Sequence, residues 1–381
     1  MCSSPRRIAP ATSPARSCPS SEGTELRGSP SPAARPDPLD SASQAELVHV
    51  NDSDPGIARR QRGKGFSYTR PNGSIIRDEK TLARIRSLAI PPAWTDVWIC
   101  PVAQGHIQAT GRDARGRKQY RYHPGWETCR YEAKFASLAA FAEALPRLRK
   151  RVKKDLAKRG MRRERILAAI VWLLDNTMIR IGNDAYRREN RSFGLTTLTA
   201  RHVETQGSEI RFSFTGKSGR KWRLSLSNRR IANILAGMSE LPGQHLFQYA
   251  GDDGAMHPVH SHHVNDYIRE ATGSDFTSKH FRTWGATSMA TVELAAVEPP
   301  PSKQARRRIV NEILDSVSEA LKNTRAVCRR CYVHPDVIDA WESRTLGPEI
   351  AALRSRYRKP FAHLDADEST VLRWLRQRGT A

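Results

Sequence analysis

The spacing of apolar residues changes near position 125, and this change constrains the fold more than any other feature of the sequence. From about Ala45 to His123, short β-branched and aromatic runs are separated by glycine and proline, as at the turn Pro71-Asn72-Gly73. Beyond this stretch, apolar residues recur at helical spacing. The sequence therefore predicts an α+β fold, with a small N-terminal β-rich domain over residues 45–125 and a mainly α-helical domain over residues 126–345.

One helix and one hairpin are the clearest elements of the second domain. The helix is predicted over residues 162–179, where five residues form an apolar stripe: Ile166, Ile170, Leu173, Leu174 and Thr177, with Gly182 just past its end. The hairpin joins alternating strands at 209–215 and 221–226 through Gly216-Lys217-Ser218-Gly219, so a small β-sheet interrupts the helices. Residues 346–381 predict a basic, helical C-terminal tail.

The first 44 residues are rich in proline, serine, alanine and arginine. They hold too few apolar side chains to offset the entropy lost on ordering, so we expect a disordered tail. The same composition is typical of a mitochondrial transit peptide, but we favour a tail on a cytoplasmic, bacterial protein. No apolar segment resembles a secretory signal, and no run of about 18 apolar residues predicts a membrane span.

The surplus of positive charge indicates the class of partner. The chain has 63 Lys and Arg against 39 Asp and Glu, for a formal net charge of +24. Such a surplus favours a polyanion, because basic side chains displace the counterions condensed on phosphate backbones. The charge therefore predicts a polyanionic partner such as a nucleic acid; a basic ribosome-associated protein is an alternative on charge alone.

Cysteine usage gives no sign of a disulfide framework or a metal site. The chain has 6 cysteines in 381 residues, which fits a reducing compartment. Cys328-x-x-Cys331 lacks the second ligand pair of a structural zinc site. We therefore expect no metal and no cofactor.

A set of residues with complementary chemistry is spread along the second domain. Cleaving a phosphodiester without a metal requires a nucleophile, cations on the non-bridging oxygens and a proton donor for the leaving oxygen. Guanidinium groups suit the second task because they stay charged and bind two oxygens at once, and a partly desolvated lysine suits the third. The candidates are Arg180 after the apolar helix, Lys217 at the hairpin tip, Lys279 and Arg282 one helical turn apart, and Tyr332.

The order and local context of these residues resemble the type IB DNA topoisomerases, especially the small poxvirus and bacterial members. The matching motifs are R-I-G-N-x-x-Y, E-N-x-x-x-G-L-T-T-L, T-G-K, F-R-T-W and A-V-C-R-x-x-Y, in that order. Residues 111–122 of the β-rich domain are similar to the DNA-clamping segment of the family. The resemblance spans about residues 55–341, which leaves only the two tails outside it.

The resemblance implies a C-shaped clamp around duplex DNA and an enzyme that relaxes supercoils without ATP or metal. It implies that Tyr332 attacks the scissile phosphate to form a 3′-phosphotyrosyl link, and that Lys217 protonates the leaving 5′-oxygen. Arg180 and Arg282 would stabilise the transition state. We expect DNA contacts at six further residues: Arg112, Arg117, Gln119, Tyr120, Tyr122 and Lys279.

One candidate catalytic position departs from the viral and nuclear pattern. Asn323 stands nine residues before Tyr332, where those enzymes carry a histidine. An amide can donate a hydrogen bond to a phosphate oxygen, but it cannot carry charge or titrate. We therefore expect Asn323 to bind a phosphate oxygen as that histidine does, but more weakly.

Two other functions fit part of the pattern. A tyrosine recombinase shares the Arg, Lys and Tyr chemistry, but its usual signature is H-x-x-R where this chain has Lys279-x-x-Arg282. The predicted β-rich domain is also unlike a recombinase. A non-enzymatic DNA-packaging protein would bind duplex DNA but would never form a covalent adduct with it.

Overall fold

The computed structural model describes residues 47–63, 65–184, 187–188, 191–241 and 243–379, with side chains described outside 127–133. The tail expected at residues 1–44 lies outside this range. The strands are β1 Ile57–Arg62, β2 Gly65–Thr69, β3 Thr95–Ile99, β4 Ile107–Arg112, β5 Lys118–Tyr122, β6 Val203–Gln206, β7 Glu209–Thr215, β8 Lys221–Ser227, β9 Gln248–Ala250 and β10 Met256–Pro258. The helices are α1 Glu79–Ser87, α2 Pro124–Leu156, α3 Arg163–Thr177, α4 Arg229–Ser239, α5 Ser261–Thr272, α6 Ser278–Ala295, α7 Lys303–Leu321, α8 Arg325–Cys331, α9 Pro335–Glu342, α10 Leu346–Arg356 and α11 Ala366–Arg378.

The N-terminal part is a five-stranded antiparallel sheet in the order β2-β1-β3-β4-β5. Its core contains Ile57, Ile99 and Ala109 from three neighbouring strands. The short helix α1 covers this core through Ile85, and the sequence analysis did not foresee it. Asp78 starts α1 by accepting a hydrogen bond from the Thr81 amide at 2.9 Å, as N-cap aspartates do.

The second part is mostly helical, so the predicted α+β fold class is confirmed. The five residues of the predicted apolar stripe are all buried in α3. The helix spans Arg163–Thr177, close to the predicted 162–179, and its C-cap is Met178 in the left-handed conformation with φ 54°, so Gly182 lies further beyond the end than expected. None of the helices in the described ranges is long and apolar enough to cross a membrane.

The predicted hairpin is present, and a third strand extends it. Strands β7 and β8 pair in register, with β6 on the outer side of β7. Ile210, Phe212 and Phe214 alternate along β7 and are buried against the helices. The four residues of β6 are too few to produce a recognisable alternation in the sequence.

The two C-terminal helices share the core of the preceding helices. Leu346, Ile350 and Leu353 of α10 are buried, as are Trp374 and Leu375 of α11. The domain boundaries derived from the sequence remain predictions, but residues 346–379 pack as part of the helical core.

An ion-pair network joins α11 to three other helices. Arg149 of α2 bonds both oxygens of Asp175 in α3, at 2.7 and 2.9 Å, and both oxygens of Glu368 in α11, each at 2.7 Å. Glu368 also accepts a hydrogen bond at 3.1 Å from Trp284 of α6. Burial raises the pKa of Glu368, but the bonds and charge of Arg149, together with the Asp365 amide and Trp284, hold it below its usual value. The network thus places one guanidinium and two carboxylates where helices α2, α3, α6 and α11 meet.

Breaking this network should destabilise the fold. We expect Glu368→Gln to lower the free energy of unfolding by about 1.5 to 3 kcal/mol, because the largely buried Arg149 keeps Asp175 but loses its charged hydrogen bonds to Glu368. Asp367→Asn is the matched control, since Asp367 pairs with Arg354 at 2.8 Å where both side chains are at least 40% exposed. That control should cost less than about 1 kcal/mol in urea unfolding. Equal losses in the two variants would contradict a structural role for the network.

Candidate active site

Tyr332 directly follows the short helix α8 and is held through its backbone. Its amide donates a hydrogen bond to the Cys328 carbonyl at 3.0 Å. Its carbonyl accepts one at 3.0 Å from the Thr287 hydroxyl of α6. The ring is half-buried against the core. The backbone amide of Tyr332 is therefore fixed to α8, and its backbone carbonyl is fixed to α6.

Arg282 of α6 lies beside the Tyr332 ring and is only 3% exposed. Its guanidinium carbon is 5.2 Å from the ring centroid. Two of its nitrogens donate to carbonyls at helix ends, to Met178 at the end of α3 and to Leu321 at the end of α7, the latter at 2.9 Å. Helix C-termini carry partial negative charge, so both carbonyls stabilise this buried cation.

Arg180 places a second guanidinium next to Arg282. Burial, followed by the positive charge of Arg180, lowers the pKa of Arg282 to about 10, so Arg282 remains charged at neutral pH. One terminal nitrogen of Arg180 and Nε of Arg282 are buried without a hydrogen-bond partner in the described part of the chain. Two adjacent cations, Arg282 buried and Arg180 partly buried, each with a spare N–H donor, match the two-oxygen binding of a phosphate.

The backbone of Arg180 is linked to the hairpin that carries Lys217. The Leu195 amide donates to the Arg180 carbonyl at 2.9 Å, and the Phe193 amide donates to the Thr215 carbonyl at 2.8 Å. Thr215 ends β7, two residues before Lys217. Lys217 is exposed and begins the tight 3-10 turn at the hairpin tip. The segment 193–195 therefore links the backbone of Arg180 to the hairpin that carries Lys217.

Gly194, in the middle of that segment, is required by close backbone approach. A Cβ at this position would lie 2.5 Å from the Arg180 carbonyl oxygen and 2.6 Å from the Gly182 nitrogen. Gly182 itself adopts φ 97°, which side chains disfavour. The two glycines of the sequence motifs thus allow the chain to cross itself beside Arg180.

The other two candidates of the helical part lie close in sequence to this group. Lys279 is exposed in the first turn of α6, one turn before Arg282. Asn323 follows the end of α7, and its carboxamide oxygen accepts the Thr324 amide at 3.0 Å. This local bond leaves the two N–H donors of the Asn323 amide for another acceptor.

Lys134 of α2 belongs to the surroundings of Tyr332 but was not found in the sequence analysis. Its ammonium donates to the Cys331 carbonyl and lies 4.8 Å from the centroid of the Tyr332 ring. A cation above an aromatic ring is attracted by the electrons of its face. The residue lies far from Tyr332 in the sequence, in a helix with many basic residues, so no local pattern distinguishes it.

The six expected DNA contacts include five in the β4–β5 hairpin, and these form two groups. Arg117 and Gln119 both bond the Asp113 carboxylate, at 2.7 and 2.9 Å. Tyr120 and Tyr122 lie on the other face of β5, where their rings stack with centroids 5.8 Å apart. Gln119 therefore does not share a face with the two tyrosines.

Arg112, at the end of β4, is held within the same hairpin. Its guanidinium donates to the Gly116 carbonyl at 3.0 Å and lies 3.5 Å from the Asp96 carboxylate. Its side chain is 53% exposed, so the contacts leave part of the cation open to solvent.

Two family models match the sequence. One is described as the catalytic core of eukaryotic DNA topoisomerase I and matches residues 125–359. The chain belongs to the type IB DNA topoisomerase family. A second model, described as the N-terminal domain of bacterial DNA topoisomerase IB, matches residues 65–113. The first match includes every candidate catalytic residue of this topoisomerase, and the second covers most of its N-terminal sheet.

Individual relatives are also named as DNA topoisomerases. DNA topoisomerase 1B of Acanthamoeba polyphaga mimivirus is 30% identical over 295 residues, which cover 76% of this chain and 88% of that protein. DNA topoisomerase I of Monkeypox virus is 20% identical over 284 residues, or 73% of this chain and 87% of that protein. DNA topoisomerase 1 of Mycosarcoma maydis is 28% identical over 172 residues, which cover 40% of this chain and 17% of that protein. The enzyme is thus a DNA topoisomerase of type IB and not a tyrosine recombinase.

The crossing at Gly194 yields a test of how Arg180 is positioned. We expect Gly194→Ala to lower the free energy of unfolding by about 1 to 3 kcal/mol, because its new methyl group overlaps backbone that cannot move independently. DNA cleavage, measured well below the melting temperature, should fall as Arg180 shifts. Gly347→Ala is the matched control, because its Cβ would lie 3.4 Å from the nearest atom, an ordinary contact. That variant should change neither the free energy of unfolding nor DNA cleavage. A Gly194→Ala enzyme with normal stability and cleavage would contradict this account.

Lys134 yields a second test in this region. We expect Lys134→Met to slow single-turnover DNA cleavage about tenfold, because it removes a charged hydrogen bond and a cation beside the Tyr332 ring. Duplex affinity should change little. Lys153→Met is the matched control, because Lys153 is an exposed lysine of the same helix. If both variants cleaved at the same rate, the Lys134 contacts would have no part in the reaction.

Proposed function

We propose that this topoisomerase relaxes supercoiled duplex DNA by transient cleavage of one strand, through a 3′-phosphotyrosyl intermediate at Tyr332, without ATP or metal. The observation that carries the proposal is the buried guanidinium group of Arg282 beside the Tyr332 ring, with the partly buried Arg180 near enough to act on its charge. These groups form an anion site next to a phenol, which is the combination that phosphoryl transfer to tyrosine requires.

In the proposed reaction, the Tyr332 oxygen attacks phosphorus as its proton passes to solvent. The phosphorus–tyrosine bond forms while the bond to the 5′-oxygen breaks, and the electron pair of that bond stays on the 5′-oxygen. Lys217 donates the proton that this oxygen needs. Religation runs through the same steps in reverse, with the tyrosine as leaving group.

Charge stabilisation falls to the two arginines and Asn323. Arg180 and Arg282 would bind the non-bridging oxygens, whose negative charge grows in the transition state. Asn323 would add a neutral hydrogen bond, which contributes less than a charged one. The phosphotyrosyl ester conserves the energy of the broken phosphodiester, so the cycle needs no ATP.

The duplex would be held between the two parts of the chain as in a clamp. The Tyr120–Tyr122 stack, in which Tyr120 is exposed, and the Arg112 and Arg117 side chains would contact DNA from the N-terminal sheet. Gln119 would do so from the other face of β5, and Lys279 would contact the backbone next to the cleavage site. We expect a monomer acting on the nucleoid of a bacterium.

The nucleophile is tested by trapping the covalent adduct. Tyr332→Phe should bind duplex DNA normally but give no SDS-resistant adduct, because phenylalanine has no oxygen to attack phosphorus. The wild-type protein should form the adduct and relax plasmids in EDTA without nucleotide. An adduct of normal yield in the variant would exclude Tyr332, and a strict requirement for divalent metal would indicate another reaction class.

The general acid is tested with a modified leaving group. Lys217→Ala should slow cleavage by roughly two to four orders of magnitude, the usual range for a lost general acid. A substrate with sulfur at the bridging 5′ position should be cleaved almost normally by the variant, because a thiolate leaves without a proton. Failure of this substrate to rescue the variant would assign Lys217 another role.

A further inference from the structure

Asp184 is an acidic residue close to the candidate active site that the proposed reaction does not use. It occupies the first variable position of the motif R-I-G-N-x-x-Y, four residues after Arg180. Three basic side chains surround its carboxylate: His245, His260 and Arg187. Because the two histidines come from distant parts of the chain, Asp184 joins the segment after Arg180 to the rest of the helical part.

The two carboxylate oxygens of Asp184 have different surroundings. Oδ2 accepts a hydrogen bond from Nδ1 of His260 at 3.0 Å. Oδ1 is buried and lies 3.7 Å from Nε of Arg187 and 3.9 Å from Nε2 of His245, distances that are too long for hydrogen bonds. The bond to His260 therefore fixes the orientation of the carboxylate, and Arg187 adds a charge attraction over the longer distance.

His260 offers Asp184 a firmly held partner. It directly precedes α5, and its backbone amide donates a hydrogen bond to Nδ1 of His263 at 3.2 Å. The amide of the preceding Val259 donates to the Phe247 carbonyl at 3.0 Å. The backbone on both sides of the His260 ring is thus held by hydrogen bonds, so the ring can serve as a fixed point for the carboxylate.

His245 connects Asp184 to the start of the same segment by a second route. Its Nδ1 donates to the Thr196 carbonyl at 3.3 Å, because a carbonyl can only accept. The amide and the hydroxyl of Thr196 both donate to the Ile181 carbonyl, at 2.7 and 2.9 Å. Ile181 directly follows Arg180. The segment 181–184 is therefore restrained at its first residue by Thr196 and at its last by the carboxylate of Asp184.

The restraint at Asp184 reaches the helix that carries Arg282. Asn265 of α5 accepts a hydrogen bond at 3.0 Å from the amide of Ser278, the first residue of α6. Helix α5 therefore lies between Asp184 on one side and the start of α6 on the other. The guanidinium groups of Arg180 and Arg282 repel each other, so their spacing has to be held by the backbone that carries them.

We propose that Asp184 is a positioning residue for Arg180, which fixes the chain after Arg180 to α5 through His260 and so sets the spacing between Arg180 and Arg282. The inference rests on the proposed function, in which these two guanidinium groups bind the non-bridging oxygens. Asp184 touches neither DNA nor Tyr332 in this account, so its effect on cleavage has to pass through Arg180. Its loss should slow the chemical step, which depends on exact geometry, and leave duplex affinity unchanged.

The test is a double-mutant cycle, measured as single-turnover cleavage of a short duplex by saturating enzyme. Asp184→Ala alone should slow cleavage about tenfold, the loss expected when a charged hydrogen bond is removed. Arg180→Ala alone should slow it by about two to three orders of magnitude. Adding Asp184→Ala to the Arg180→Ala enzyme should slow it by less than about twofold more, because the residue that Asp184 positions is already absent.

Asp253→Ala is the matched control, because Asp253 also pairs with a histidine, His257, at 3.0 Å, but in the exposed turn between β9 and β10. It should change cleavage by less than about twofold with or without Arg180. Melting temperatures check that the variants fold. Asp184→Asn keeps an oxygen that can accept from His260, and it replaces the alanine variant in the cycle if that variant melts near the assay temperature.

The outcomes separate this inference from the function on which it rests. A loss that persists undiminished in the Arg180→Ala enzyme would overturn the positioning role, as would a wild-type rate in Asp184→Ala or an equal loss in Asp253→Ala. Weaker duplex binding with an unchanged rate at saturation would overturn it too. In each of these cases the wild-type enzyme still forms the covalent adduct. Absence of that adduct in the wild-type enzyme would overturn the proposed function, and the positioning role with it.

Discussion

The helical part of this topoisomerase is organised around one buried cation. Arg282 is 3% exposed, and a guanidinium in such a place must be stabilised by dipoles or counter-charges. The carbonyls of Met178 and Leu321 provide that stabilisation, so α3 and α7 both have to end beside α6. Met178 and Lys322 adopt left-handed conformations with φ 54° and 47°, which turn the chain away at those ends. Arg180 and Asn323 follow these turns, so the position of the buried cation also determines theirs.

The arginines discussed above have two kinds of surroundings. Those with a structural role have carboxylate partners, whereas the candidate catalytic ones do not. Arg149 is surrounded by the carboxylates of Asp175 and Glu368 and serves to join helices. Arg180 and Arg282 lie next to each other with spare donors and without an anion of the protein described beside them. A folded protein keeps such a costly arrangement where a ligand compensates for it.

The sequence predicted those features that depend on local pattern. The buried stripe of α3, the β7–β8 hairpin and the order of Arg180, Lys217, Arg282 and Tyr332 were all recognisable. The elements α1, β6 and α8 were not, because four to nine residues produce little periodicity. Gly182 was interpreted as the glycine that follows the end of a helix. In the structure, a glycine is required there because the backbone passes close to Gly194. Lys134 was missed because its contact with the Tyr332 ring depends on tertiary packing, to which nearby sequence gives no clue.

The way Tyr332 is attached to the fold has a mechanical consequence. In the proposed reaction, the cut strand is tethered to this single side chain while the duplex turns, so torque is transmitted to the protein through one residue. A helix as short as α8 would unwind easily under such a load. The bonds from Thr287 to the Tyr332 carbonyl and from Lys134 to the Cys331 carbonyl transfer that load to α6 and α2. The phosphotyrosyl end can therefore stay in place for resealing, however many turns the free strand makes.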